Sequence, residues 1–332
     1  MKEITVNHLV KEYCVVEKEE GLLGACKSIL HPQKKMIRAL DDISFEIERG
    51  ETVGYIGANG SGKSTTIKCL IGILCPTRGN VSVGGFNPEK ERMKVAQKIG
   101  VVFGQRSSLQ WDIRLSESFE LNKRIYQIPD DAYKQTRDKL VEMLSIGGLL
   151  GKPVRQLSLG QRMRGEIVAA LLHSPSILFL DEPTVGLDFE SRENILRYIR
   201  NINQDEKVTV ILTSHNIHDI EAVCKRAIII NKGRAIEDRG LQEIVKDFST
   251  YKIIQVEYIE NIPEENIPFC GNIIARKDNT VTYRIDKSKL SVEEAVHRLI
   301  TGYRIKDIKI DDPELEEIVK SILTDPRNKV IM

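Results

Sequence analysis

One segment constrains the fold of this chain more than any other: Gly57-Ala58-Asn59-Gly60-Ser61-Gly62-Lys63-Ser64, followed by Thr65. Before it, Thr52-Val53-Gly54-Tyr55-Ile56 is short, β-branched and apolar, the pattern of a strand buried on both faces of a parallel sheet. After it, residues 65–72 read as a helix closed by Gly72. Strand, glycine-rich loop and helix in that order predict an α/β fold with a phosphate-binding loop of the G-x-x-x-x-G-K-[ST] kind. The chemistry demands these residues. A triphosphate carries several negative charges, so its cradle needs closely packed donors. Gly57, Gly60 and Gly62 remove the Cβ atoms that would block backbone approach. The loop amides, those of Ala58, Asn59, Ser61 and Thr65 included, then converge on the phosphates at the positive end of a helix. Lys63 adds a mobile cation, and the Ser64 hydroxyl is a ligand for Mg²⁺.

A second segment completes that chemistry. Ile177-Leu178-Phe179-Leu180-Asp181-Glu182-Pro183 is an apolar run ending in two acids. It predicts a buried strand delivering carboxylates at its C-terminal end, the edge where open α/β sheets bind ligands. Asp181 is placed to hold Mg²⁺ through water, since a hard cation prefers oxygen. Glu182 is placed to take a proton from an attacking water.

Between the two lies Gln156-Leu157-Ser158-Leu159-Gly160-Gln161-Arg162. With this segment the chain resembles the ATP-binding subunits of ABC transporters. It is similar to their Leu-Ser-Gly-Gly-Gln signature, with Leu159 in place of the first glycine. The resemblance covers residues 1 to about 240 and implies a P-loop ABC ATPase domain with a β-rich arm and a helical subdomain at about 106–165. It implies that Ser158, Gly160 and Gln161, at the start of a helix through His173, meet the γ-phosphate of ATP held by a second subunit. One chain then supplies two half-sites, and hydrolysis requires a head-to-tail homodimer. Gln105 matches the glutamine that touches Mg²⁺ and water and links the site to the partner domain. Asp188, in Gly186-Leu187-Asp188, matches the dimer-interface aspartate. His215, in Leu212-Thr213-Ser214-His215, matches the histidine that contacts the γ-phosphate. Tyr13 fits the aromatic that stacks on adenine, against the alternative of a surface tyrosine. Catalysis would then fall to Glu182, His215, Gln105 and Lys63, with Ser64, Gln105 and Asp181 around Mg²⁺. The family's partner is a transmembrane permease encoded separately, which places the subunit on the cytoplasmic face of the membrane.

Several segments lie outside these motifs. Residues 115–126 and 131–146 show apolar positions at helical spacing, as does 90–98. Trp111 is the only tryptophan and has two readings, a groove-lining anchor for a partner helix or subdomain core. Residues 14–36 exceed what a minimal ATPase needs. Leu22, Leu23, Cys26, Ile29 and Leu30 would share one helix face, lying against the membrane or partner, or packed on the domain's own arm. Beyond residue 240 the pattern changes to short strands at 253–258, 273–276, 281–285 and 305–310, with helices at 292–300 and after Pro313. Residues 241–332 therefore read as a small α+β domain, ferredoxin-like in outline, with a regulatory or dimer-supporting role. Tails of this kind resemble those of ABC-2-type exporter ATPases.

Composition narrows the function. Basic and acidic residues number 49 and 48, so no bulk field draws the chain to nucleic acid. The six cysteines include no C-x-x-C pair and suit a reducing compartment. No apolar stretch of about 18 residues is present. The leading expectation is the ATP-hydrolysing subunit of an exporter. The alternative is a soluble ABC ATPase acting on ribosomes or DNA. A GTPase is a third class, because Asn231-Lys232-Gly233-Arg234 nearly matches Asn-Lys-x-Asp, although Arg234 stands where the aspartate belongs.

Overall fold

Alternating apolar residues in the first fifty positions form a long antiparallel hairpin, β1 (Lys2–Glu17) and β2 (Gln33–Glu48). The computed structural model describes residues 1–17, 33–104, 106–248, 251–260, 271–302 and 304–324. Most of the expected 14–36 insertion, including its apolar helix face, lies outside them; the described strands run to Glu17 and resume at Gln33. After β2 comes β3 (Thr52–Gly57), every residue of it buried, and then α1 (Lys63–Leu70). Gly72, at φ +74°, closes that helix as expected. β4 (Arg78–Val83) pairs with the other side of β1, giving an arm of order β2-β1-β4. Ile4, Val6, Ile43, Phe45, Val81 and Val83 form its buried face.

The chain then enters α2 (Arg92–Lys98), β5 (Ile99–Phe103), α3 (Leu115–Ile125), α4 (Asp130–Met143) and α5 (Leu159–Leu171). It continues through β6 (Ile177–Asp181), α6 (Phe189–Glu206), β7 (Thr209–Thr213), α7 (Ile217–Val223), β8 (Arg226–Asn231) and β9 (Arg234–Gly240). The central sheet has the order β5-β6-β7-β3-β8-β9. Its first five strands pair in parallel, so their C-terminal ends share one edge. The register puts Phe103 beside Asp181, Asp181 beside Thr213, and Thr213 beside Tyr55. Ile177, Leu178 and Phe179 are fully buried. Burying such side chains contributes roughly 1.5–3 kcal/mol each, which is why this strand holds its register. The near-match Asn231-Lys232-Gly233-Arg234 is a two-residue hairpin turn. Lys232 and Gly233 both have positive φ, 48° and 81°, the pattern of a type I′ turn.

Element ends differ from the periodic pattern for local reasons. Asn87 Oδ1 accepts from the amides of Glu89 (2.9 Å) and Lys90 (3.1 Å), so the helix expected from residue 90 starts at Arg92. The helix expected to reach 146 ends at Met143, and Ser145 beyond it has a φ of 52°.

The chain divides into two compact units, the first ending at Arg239 and the second beginning at Gly240. The second unit contains α8 (Leu241–Phe248), β10 (Tyr251–Tyr258), β11 (Asn272–Lys277), β12 (Thr280–Asp286), α9 (Val292–Gly302), β13 (Ile305–Asp311) and α10 (Leu315–Thr324). Its sheet is antiparallel with order β11-β12-β10-β13. That is the split arrangement of a ferredoxin-like fold, with β12 between the parallel pair β10 and β11. Ala295 and Leu299, one turn apart on α9, cluster with Ile254, Val256, Val281, Tyr283 and Ile285.

Candidate active site

The loop after β3 is shaped by close approach. A Cβ on Gly57 would lie 2.4 Å from the Ile230 carbonyl oxygen. Gly62, the N-cap of α1, has a φ of 110° and packs against Ala39 and Leu40. Ala58, Asn59 and Gly60 are exposed, as is Ser64, so the mouth of the loop is open. Lys63 is 7% exposed, and its ammonium donates to the carbonyls of Gly57 (2.6 Å) and Ala58 (3.2 Å). Burial lowers its pKa, and the Glu182 and Asp181 carboxylates pull it back up. Ser61 Oγ is buried without a hydrogen-bond partner among the described residues. Beneath the loop, Tyr55 Oη donates to Thr66 Oγ1 at 3.1 Å.

The acids at the end of β6 are held by β7. Thr213 Oγ1 donates to Asp181 Oδ1 at 2.6 Å and accepts from the Glu182 amide at 3.1 Å. Glu182 has a φ of 55°, a strained conformation for a residue with a Cβ. Gly104 sits against it: its amide donates to the Asp181 carbonyl at 2.8 Å, and a Cβ there would lie 2.1 Å from the Glu182 carbonyl oxygen. His215, exposed after β7, has Nδ1 3.6 Å from Glu182 Oε2. The structure thus brings Lys63, Asp181, Glu182 and His215 to one sheet edge. Gln105 lies outside the described residues, between Gly104 and Arg106. The donor set suits Mg²⁺: an exposed hydroxyl at Ser64 and the half-buried Asp181 carboxylate are oxygen ligands that leave room for water and phosphate.

Ser158 caps α5. Its Oγ accepts from the Gln161 amide at 3.2 Å, and its own amide donates to Gln161 Oε1 at 3.1 Å. This capping box leaves the hydroxyl hydrogen of Ser158 for another acceptor. Gly160 lies close to Ser191 of α6, and Leu159, the departure from the family pattern, packs toward Gly186. Asp188 caps α6 through Ser191, whose amide (2.9 Å) and hydroxyl (2.8 Å) hold its pKa down. Tyr13 is half-buried on β1 opposite Ile37, with the Lys11 ammonium 5.3 Å from its ring.

Sequence reasoning missed two supports. Thr213 lies only two residues before His215, so the strand end carried its signal. Asp219 is fully buried and accepts from Thr184 Oγ1 (2.5 Å), Ser214 Oγ (2.9 Å) and Arg192 Nε (2.5 Å). It ties the loop carrying His215 to the segment after Glu182, and no sequence pattern marks it.

A family model described as ABC transporter matches residues 40–185. The chain is 31% identical over 222 residues to the ABC transporter ATP-binding protein NatA of Bacillus subtilis (strain 168), covering 67% of this chain and 90% of that protein. It is 31% identical over 284 residues to the linearmycin resistance ATP-binding protein LnrL of the same organism, covering 83% and 90%. It is 33% identical over 238 residues to the methionine import ATP-binding protein MetN 2 of Enterococcus faecalis (strain ATCC 700802 / V583), covering 70% and 69%. Among solved structures, cbiO1 from Clostridium perfringens, part of the ABC transporter complex cbiONQ, superposes with a TM-score of 0.61 at 25% identity, covering 74% of this chain and 91% of that one. A nucleotide loop, an acid-tipped strand and a capped signature helix on one sheet, together with these likenesses, place the chain in the family of ABC transporter ATP-binding proteins, which bind and hydrolyse ATP with Mg²⁺.

Proposed function

We propose that this ATPase is the motor of an exporter, working as a head-to-tail homodimer on a separate transmembrane permease. One observation carries the direction of transport. The likeness to the resistance protein covers 83% of the chain and so extends past Arg239 into the second unit, whereas the methionine importer covers 70%. No helix among the described residues is long and apolar enough to cross a membrane, in keeping with a permease supplied by another chain.

The residues divide the work. Lys63 and the loop amides hold the phosphates. Glu182 polarises the attacking water, and its strained backbone and Thr213 bonds fix where its carboxylate points. His215 and Lys63 stabilise charge on the transferring phosphoryl group; Ser64 and Asp181 would hold Mg²⁺, which would supply further positive charge there. Ser158 and Gly160 of the second subunit close the site over the γ-phosphate. Asp188 and the exposed Phe189 lie at the subunit interface, and Tyr13 stacks on adenine. Gln105 links the site to the helical subdomain, where the permease docks on the cytoplasmic face.

Glu182→Gln tests the chemistry. It should bind ATP, lose nearly all turnover and accumulate ATP-dependent dimers on a sizing column. Near-normal turnover would show that Glu182 is not the base. Purification of the native complex tests the partner. A hydrophobic membrane protein supports the transport reading, whereas ribosomes or DNA would replace it. A permease that also engages an external solute-binding protein would turn the direction to import.

A further inference from the structure

We propose that Glu166 is a positioning residue for ATP hydrolysis, a buried carboxylate that locks the loop leaving β5 to the helix that carries Ser158. The proposal rests on reading Gln105 and Ser158 as nucleotide contacts.

Glu166 lies on α5 among apolar neighbours Ile167, Val168 and Ala169, and is only 3% exposed. A carboxylate taken out of water is costly unless its oxygens are bonded. Among the described residues its bonding partners are neutral donors from three consecutive residues. Ser107 Oγ donates to Oε1, as does the Leu109 amide at a longer 3.5 Å. Ser108 donates to Oε2 twice, from its amide at 3.0 Å and its hydroxyl at 2.5 Å. These residues start two positions after Gln105. The same loop is fixed at its other end by the Gly104 amide on the Asp181 carbonyl. Beside the carboxylate, Gly165 lets Leu109 and Leu115 approach the helix closely; a Cβ there would be 2.9 Å from Leu115 Cδ1.

The result is a mechanical path. It links the acid-bearing end of β6 to Gly104, and Ser107, Ser108 and Leu109 to Glu166, about two turns along α5 from Ser158. A displacement of the loop that senses one nucleotide is passed to the helix end that addresses the nucleotide of the second subunit. A carboxylate suits the task because both oxygens accept. In Glu166→Gln the amide oxygen can still accept from Ser108, but its NH2 group cannot accept from Ser107 or Leu109, and every remaining bond loses the assistance of the negative charge. A role of this kind predicts loss of turnover without loss of nucleotide affinity.

The test compares Glu166→Gln, Ser108→Ala and their combination in the full-length chain, with Glu182→Gln as reference. Turnover, MgATP affinity by equilibrium binding, and thermal stability are measured on each. Glu166→Gln should lower kcat about tenfold, as losing one accepting oxygen and the charge-assisted bonds can, while the dissociation constant for MgATP changes by less than about threefold. Ser108→Ala should lower kcat alone too, and the double variant should lose less than the product of the two factors, the mark of a shared network. Unchanged kcat, multiplicative losses, or equal losses in affinity and kcat would overturn the proposal. If Glu166→Gln fails to fold, Ser107→Ala and Ser108→Ala decide, because the carboxylate keeps its backbone donor in both; wild-type kcat in both would overturn it. Full turnover in Glu182→Gln would instead indict the reading of the site, whereas an inactive Glu182→Gln beside fully active Glu166→Gln would sink this proposal alone.

Discussion

At the scale of residues, the site depends on one backbone held in an unfavourable place. Glu182 has a φ of 55°, which costs an L-residue about 1–2 kcal/mol. The cost is offset by the Thr213 bonds and by the close fit of Gly104. Gly104→Ala is therefore expected to push the Glu182 carbonyl away and turn its carboxylate. We expect kcat to fall at least about tenfold while MgATP binding, measured by equilibrium titration, stays within about twofold. Equal loss of both would show that the loop, not the acid, was displaced. Much of this scale was legible beforehand, because glycine spacing, Lys63, Asp181 and Glu182 carry their chemistry in their identity. Asp219 and Glu166 were not legible. An acid on an apolar element has no pattern until the fold shows what it faces.

At the scale of elements, apolar runs marked the strands well, and capping decided the helix ends. Ser158 and Gln161 close a reciprocal cap that starts α5 at Leu159. The single tryptophan belongs to this scale. Trp111 is 51% exposed, with the Arg162 guanidinium of α5 5.6 Å from its ring, so it is not subdomain core. Its exposure supports the reading as an anchor for a partner helix. Trp111→Ala should weaken co-purification with the permease and leave ATP binding by the isolated chain unchanged. Equal loss of both would remove Trp111 from the interface. Sequence alone left both readings open, since aromatic residues serve cores and interfaces alike.

At the scale of the whole molecule, stability has an acid limit built into the first unit. His173, just past α5, stacks on Tyr126 with ring centroids 3.9 Å apart, and its Nε2 donates to the Ile99 carbonyl at 3.0 Å. Burial pushes its pKa down to about 4, with weaker opposing pulls from the Ile99 and Ala96 carbonyls. An unfolded chain takes up that proton near pH 6.5, so its contribution is complete above that pH and is lost as pH falls toward 4. The effect is up to about 3 kcal/mol. Denaturant unfolding at pH 7 and pH 4.5 should show that loss, and His173→Gln should make the difference between the two pH values smaller. An unchanged difference would mean that other groups set the acid limit. The charge balance and the order of motifs belong to the sequence. By itself it determined the nucleotide chemistry and the family, because glycines, a lysine and paired acids at fixed spacings leave few other uses for one loop and one strand. Tertiary structure alone decided how the pieces act together. Parallel pairing brought Gly57, Asp181 and His215 to one edge although more than a hundred residues separate the first two. The left-handed turn at Glu182, and the buried carboxylates at Asp219 and Glu166, exist only because packing pays their cost.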